Sequence, residues 1–159
     1  MEGAGEEKGK KGLEGTGLDL PVNRHGNLIS AWNDQNLTEI LHKIKSSMAP
    51  AVINYGASWC HVCSQILPSF CKLSNSFPRM SFVYADIDEC PETTQQVRYT
   101  PTFHFFRDGE RVDEMFGAGE ERLHDRLCSS PDPEYVPFKK LYCCCHAVKA
   151  LASTCCFLK

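Results

Sequence analysis

Two cysteines separated by two residues, in Cys60-His61-Val62-Cys63, are the side chains of this sequence best placed to do chemistry. They follow a largely apolar run, Ala51-Val52-Ile53-Asn54-Tyr55-Gly56, and stand where a helix is expected to begin. A helix start presents unpaired N–H groups and a partial positive charge. Both favour thiolate over thiol and draw the Cys60 pKa below about 8.5. Cys63, nearly one turn further on, is close enough to close a disulfide with Cys60. In that chemistry Cys60 attacks a disulfide in another molecule and Cys63 resolves the mixed disulfide. The same spacing is half of a zinc site, but no second Cys-x-x-Cys and no histidine pair follows at finger spacing, so no metal is expected.

The chain has ten cysteines in 159 residues, a count that suggests a disulfide scaffold until their placement is considered. Five of them, Cys143, Cys144, Cys145, Cys155 and Cys156, fall in the last 17 residues, while Cys60, Cys63, Cys71, Cys90 and Cys128 are spread over the rest. The first residues have no apolar core of a secretory signal and carry three glutamates among the first seven positions. A reducing, cytosolic setting is expected, where a paired cysteine motif is catalytic or metal-binding rather than structural. A net charge of -3 argues against a general nucleic-acid binder.

Positioning that pair requires elements before and after it. Residues 1–20, rich in Gly, Lys and Glu, are expected to be disordered. Asn27–Trp32 reads as a short strand. Leu37, Ile40, Leu41 and Ile44 recur at helical spacing, with Asn33, Asp34 and Asn36 as cap candidates and Asn36/Glu39 spaced as a capping box. Ala51–Gly56 reads as a central strand buried on both faces. The helix from Cys60 lines one side with Ile66, Leu67, Phe70 and Leu73, and Pro68 should kink it. Ser81–Asp86 is a further strand, and Asp88–Val97 a loop with a short helix. Thr102–Arg107 and Arg111–Phe116 form a hairpin across Asp108-Gly109, and Glu120–Cys128 is a last helix. Strands alternating with helices predict an α/β domain over residues 21–128, with a mixed sheet covered on both faces. Residues 129–159 form a separate Cys-rich tail, also expected to be disordered.

Trp59-Cys60-x-x-Cys63, Pro68 eight residues after Cys60, Thr100-Pro101-Thr102 before a Phe-rich strand, Asp108-Gly109 and Phe116-Gly117-Ala118 together resemble thioredoxin. The resemblance covers about residues 26–128. Ser58-Trp59-Cys60-x-x-Cys63 and Tyr84-Ala85-Asp86-Ile87-Asp88 are similar to plant thioredoxin-like proteins. It implies a thioredoxin-like fold, thiol–disulfide oxidoreduction, a cis Pro101 beside the cysteine pair, and a substrate chain docked along Trp59, Thr100 and Pro101. It implies protein disulfides as substrates, a reductase or glutathione as electron donor, and no prosthetic group. A monomer is expected.

Three positions depart from the family pattern. His61-Val62 replaces the usual Gly-Pro, and an imidazole beside Cys60 would stabilise its thiolate and raise the reduction potential. Asn54, six residues before Cys60, stands where the family commonly has a buried Asp. An amide hydrogen-bonds but cannot take the proton of the resolving thiol. Tyr84 stands where a Lys often accompanies that Asp. These departures leave two alternatives open, a non-enzymatic adaptor on the same fold and a Cys-x-x-Cys metal carrier. Cys71 is expected to be buried and inert, Cys90 a bystander or a regulatory thiol near the site, and Trp32 core or rim. In the tail, Lys139-Lys140 beside adjacent cysteines would permit membrane attachment only through lipidation, and Cys143, Cys144, Cys145 and His146 could bind a soft metal.

Overall fold

The computed structural model describes Leu13 and residues 16–129. Most of the N-terminal extension and the Cys-rich tail lie outside the described residues, and with them the expectations of disorder, lipidation and metal binding there. The chain divides into two compact units, Met1–Glu120 and Glu121–Lys159.

Five strands, β1 (Leu28–Ala31), β2 (Ala51–Gly56), β3 (Ser81–Asp86), β4 (Thr102–Arg107) and β5 (Glu110–Phe116), form one sheet in the order β1-β3-β2-β4-β5. β1, β3 and β2 run parallel, whereas β4 is antiparallel to both β2 and β5. All six residues of β2 are buried, as expected of a strand covered on both faces. Side chains alternate across it. Ala51, Ile53 and Tyr55 join Leu37 and Ile44 of α1 (Asp34–Ser47), with Val83, Ala85, Cys90 and Phe106, in one apolar cluster. On the other face Phe70 of α2 (His61–Ser76) meets Phe82 and Phe103 at ring-centroid separations of 5.2 and 6.0 Å. The sheet is therefore sandwiched between α1 and α2.

Two local expectations are corrected. The capping box of Asn36 and Glu39 is not used. Asn33 is the cap, and its side chain accepts the Asn36 N–H at 2.7 Å, because an extended residue ahead of the first turn can reach forward to a free donor. Asp88–Val97 forms hydrogen-bonded turns rather than a short helix, with Thr94 N–H donating to the Cys90 carbonyl at 3.1 Å. The chain then returns antiparallel into β4, a connection that needs no helical crossover. Trp32, expected in the core or at its rim, is 57% exposed, just past the end of edge strand β1. Pro68 lies inside α2, as expected.

The Asp108-Gly109 turn has both residues at positive φ, 50° and 79°. A Cβ at Gly109 would stand 2.7 Å from the Lys45 carbonyl oxygen, so the position requires glycine twice over. Pairing slips between Phe105 and Phe106, which face Asp113 and Arg111, and leaves Val112 as the extra residue of a bulge. The second unit begins within α3 (Glu120–Cys128), whose Leu123 and Leu127 are buried.

Candidate active site

The central strand β2 ends at Gly56, and α2 starts five residues later. Cys60 is the cap of α2, and its Sγ accepts the N–H of Cys63 at 3.2 Å. The first turn of α2 carries no acidic residue, so no carboxylate there opposes negative charge on sulfur. Cys60 and Cys63 are joined as a disulfide and share an apolar setting with Ala57 and Ile87. Cys60 is 8% exposed and Cys63 1%, so the more accessible residue of the pair is the one at the helix cap.

The loop that leads into β4 closes the site from the other side. Thr100–Pro101 is a cis peptide, as the resemblance implied, and the Thr100 carbonyl oxygen lies 3.7 Å from Cys60 Sγ. The Pro101 carbonyl accepts the Gly117 N–H at 2.9 Å, which ties this loop to the end of β5. The indole of Trp59 is exposed, and its Nε1–H donates to Asp88 at 2.8 Å. Asp88 was visible in the sequence only as part of the Tyr84–Asp88 segment. Its role in holding Trp59 depends on the β3 exit lying next to the β2 exit, which sequence spacing does not encode.

The remaining candidates fall into two groups. His61 is exposed on the first turn of α2, with its Nε2 3.3 Å from the Gln65 side-chain nitrogen. Asn54 is fully buried on the sheet face that α2 covers, and neither its Oδ1 nor its Nδ2 has a hydrogen-bond partner among the described residues. Its register partner across the parallel β2–β3 pair is Tyr84. The Tyr84 ring fills the space beside Gly56, where an added Cβ would come within 2.9 Å of it. Burial, with a smaller effect of the nearby Asp86 carboxylate, pushes the Tyr84 phenol up to about 12.

Cys71 and Cys90 are buried free thiols, and each is pushed up to about 11, chiefly by burial. For Cys90 the carboxylates of Asp34, Asp86 and Glu89 add to the rise. Cys90 packs in the cluster beneath α1, which favours the bystander reading over the regulatory one. Among the described residues no group of His, Cys, Asp and Glu could hold a metal ion, and no helix is long and apolar enough to cross a membrane.

Comparison with known proteins agrees with this geometry. The thioredoxin family model matches residues 29–129. The protein named Thioredoxin-like 3-3 of Oryza sativa subsp. japonica is 72% identical over 123 residues, which span 77% of this chain and 95% of that one. Its namesake in Arabidopsis thaliana is 68% identical over 120 residues, 74% of this chain and 95% of that one. A crystal structure of a poplar wild-type thioredoxin h superposes with a TM-score of 0.60 at 29% identity, covering 67% of this chain and 97% of that chain. With its Cys60–Cys63 pair seated on this fold, the chain belongs to the thioredoxin family and is a thiol–disulfide oxidoreductase.

Proposed function

We propose that this protein reduces disulfides in other proteins, with Cys60 as the attacking sulfur and Cys63 as the resolving one. The observation that carries the assignment is the position of Cys60 Sγ at the cap of α2, accepting the Cys63 N–H. A negative sulfur is stabilised there by a charge-assisted hydrogen bond and by the helix dipole. The thiols of Cys71 and Cys90, pushed up to about 11, are thiolate in only about one molecule in 10⁴ at neutral pH.

In the reduced protein the Cys60 thiolate attacks one sulfur of the substrate disulfide. A Cys60–substrate bond forms, the substrate S–S bond breaks, and the departing thiolate takes a proton. Cys63, once deprotonated, attacks Cys60 Sγ and releases the second substrate thiolate. Two electrons have passed to the substrate, and the Cys60–Cys63 disulfide is the product on the protein. A reductase or glutathione returns the pair to the dithiol, and no prosthetic group takes part. The substrate chain lies along Trp59, Thr100 and Pro101, His61 favours the Cys60 thiolate, and Asn54 tunes the resolving step. The setting is the cytosol, the protein acts as a monomer, and its role is electron transfer in cell redox homeostasis.

A second reading, a binding adaptor on the same groove, draws on the absence of a carboxylate at Asn54. Reduction of insulin by the reduced protein, lost in Cys60→Ser, supports the enzyme. Full binding of insulin without reduction supports the adaptor. Alkylation near neutral pH should label Cys60 ahead of Cys63, Cys71 and Cys90, and equal labelling of Cys60 and Cys63 counts against the assigned roles.

A further inference from the structure

Cys128, the last residue of α3, is disulfide-bonded. Its partner is not among the other cysteines of residues 16–129. Cys60 and Cys63 are bonded to each other, and Cys71 and Cys90 are buried free thiols. The cysteines that remain in the sequence are Cys143, Cys144, Cys145, Cys155 and Cys156. From Glu121 onward α3 belongs with them to one compact unit, Glu121–Lys159. The bond is therefore internal to that unit and involves neither sulfur of the Cys60–Cys63 pair.

The helix sets the surroundings of this sulfur. Leu123 and Leu127 are buried one turn apart and anchor α3 by one face. His124 and Cys128 each follow one of them, so they share the adjacent stripe at i, i+4, and both are half-buried. Cys128 Sγ lies 3.8 Å from His124 Nδ1 and 3.7 Å from Nε2. The Asp125 carboxylate, 3.9 Å from the same Nδ1, pairs with the ring when it carries a proton. The carbonyl end of a helix opposes negative charge, so a thiolate here depends on neighbours that offset the dipole. The imidazole against the sulfur is one, and Arg126, the basic residue of the last turn, acts in the same sense. A sulfur that leaves readily as thiolate speeds thiol–disulfide exchange at its bond.

We infer that Cys128 and one of the five tail cysteines form a second redox site of this chain, an exchangeable disulfide whose opening releases Cys128 beside His124. A monothiol of the glutathione class opens it in two steps. Its thiolate attacks the tail sulfur, a mixed disulfide forms there, the bond to Cys128 breaks, and Cys128 leaves as thiolate and takes a proton. A second monothiol attacks the mixed disulfide, which frees the tail thiol and joins the two monothiols as a disulfide. Two electrons have passed to the chain. Nothing in this sequence of steps uses the roles given to Cys60 and Cys63.

The test equilibrates the full chain in glutathione buffers of graded poise, quenches with acid, alkylates and cuts with trypsin. Cleavage leaves Cys128 as the one cysteine of peptide 127–139 and the tail cysteines in peptides 141–149 and 150–159. At oxidising poise most of peptide 127–139 should be cross-linked to one of those two, at a fraction that holds over an about tenfold range of protein concentration. At reducing poise it should carry alkylated Cys128. His124→Gln should keep the cross-link and slow its reduction by glutathione about two- to fivefold, the effect of a poorer leaving sulfur. Cys128→Ser should abolish the cross-link and leave insulin reduction unchanged. Alkylated Cys128 across the whole oxidising range overturns the inference. So does a cross-link that rises with protein concentration, which assigns the bond to a second copy. A cross-link that forms but is reduced at an unchanged rate in His124→Gln overturns the part given to His124.

Discussion

Asn54 and His104 are polar side chains buried in adjacent central strands, on opposite faces of the sheet, and the fold treats them differently. His104, on the face beneath α1, is 3% exposed. Its Nε2 lies 2.9 Å from a Glu114 carboxylate oxygen and 3.3 Å from an Arg111 nitrogen, and its ring meets Tyr55 edge-on at 4.8 Å. Asn54, on the face beneath α2, is fully buried with no hydrogen-bond partner among the described residues for either side-chain polar atom. A buried polar group without a partner costs about 1–3 kcal/mol, a partnered one far less. The matched imidazole belongs to the scaffold. The unmatched amide lies on the face covered by α2, the helix that carries Cys63, and a local rule is broken there at the expense of stability.

The largest effect expected from this contrast is kinetic. Asn54→Asp supplies a buried carboxylate able to take the Cys63 proton, and should accelerate the resolving phase in stopped flow by about 10- to 10²-fold, the lower end of general-base assistance. His104→Asn should leave that phase unchanged. If Asn54→Asp fails to accelerate it, the amide is not what limits resolution and the contrast loses its chemical half.

Stability should divide the two sites in sign. Asn54→Leu replaces an unpartnered amide by an apolar group of similar size and should raise stability by about 1–2 kcal/mol in urea unfolding. His104→Leu removes the buried partner of Glu114, which keeps its 3.9 Å pair with Arg111, and should lower it by about 1–3 kcal/mol. Equal signs would erase the distinction.

The pH dependence comes from His104 alone of the pair. Burial holds its pKa below the ordinary 6.5, against an opposing pull from Glu114. The folded state therefore favours the neutral ring. That contribution is fully present above about pH 6.5 and is lost as pH falls through the lower folded pKa, at a slope of at most about 1.4 kcal/mol per pH unit. Urea midpoints measured on acidification should fall less steeply in His104→Gln than in the wild type, and equally steeply in Asn54→Leu.

The smallest expected effect is that of His61→Gly. Removing the imidazole beside the helix cap should make the protein more reducing by on the order of 10 mV in a titration against glutathione. An unchanged or raised potential removes His61 from the thiolate's surroundings.

Much of the molecule was legible in local pattern. Helical spacing of Leu37, Ile40, Leu41 and Ile44, the buried run of β2 and the Asp108-Gly109 hairpin all express near-neighbour physics, and all three elements form as read. The reading failed where two local options compete at similar energy. Asn33 and Asn36 are both good caps, and the donor that is free once α1 packs decides between them. Asp88–Val97 has enough helical character to suggest a helix, but its backbone is satisfied by turns tied to Asp34, whose carboxylate accepts the Thr93 N–H at 2.6 Å.

The order of residues alone determined the reacting pair, its place ahead of a helix and the strand that leads to it, because a helix N-terminus acts over one turn and a disulfide at this spacing needs only neighbouring residues. Tertiary structure decided which distant groups meet that pair. The Thr100 carbonyl comes to Cys60 across 40 positions, and Asp88 comes to Trp59 across 29. It also decided that Asn54 is left without a partner while His104 finds one. Whether a buried polar atom is satisfied depends on which strands become neighbours and in what register, and no local pattern carries that information.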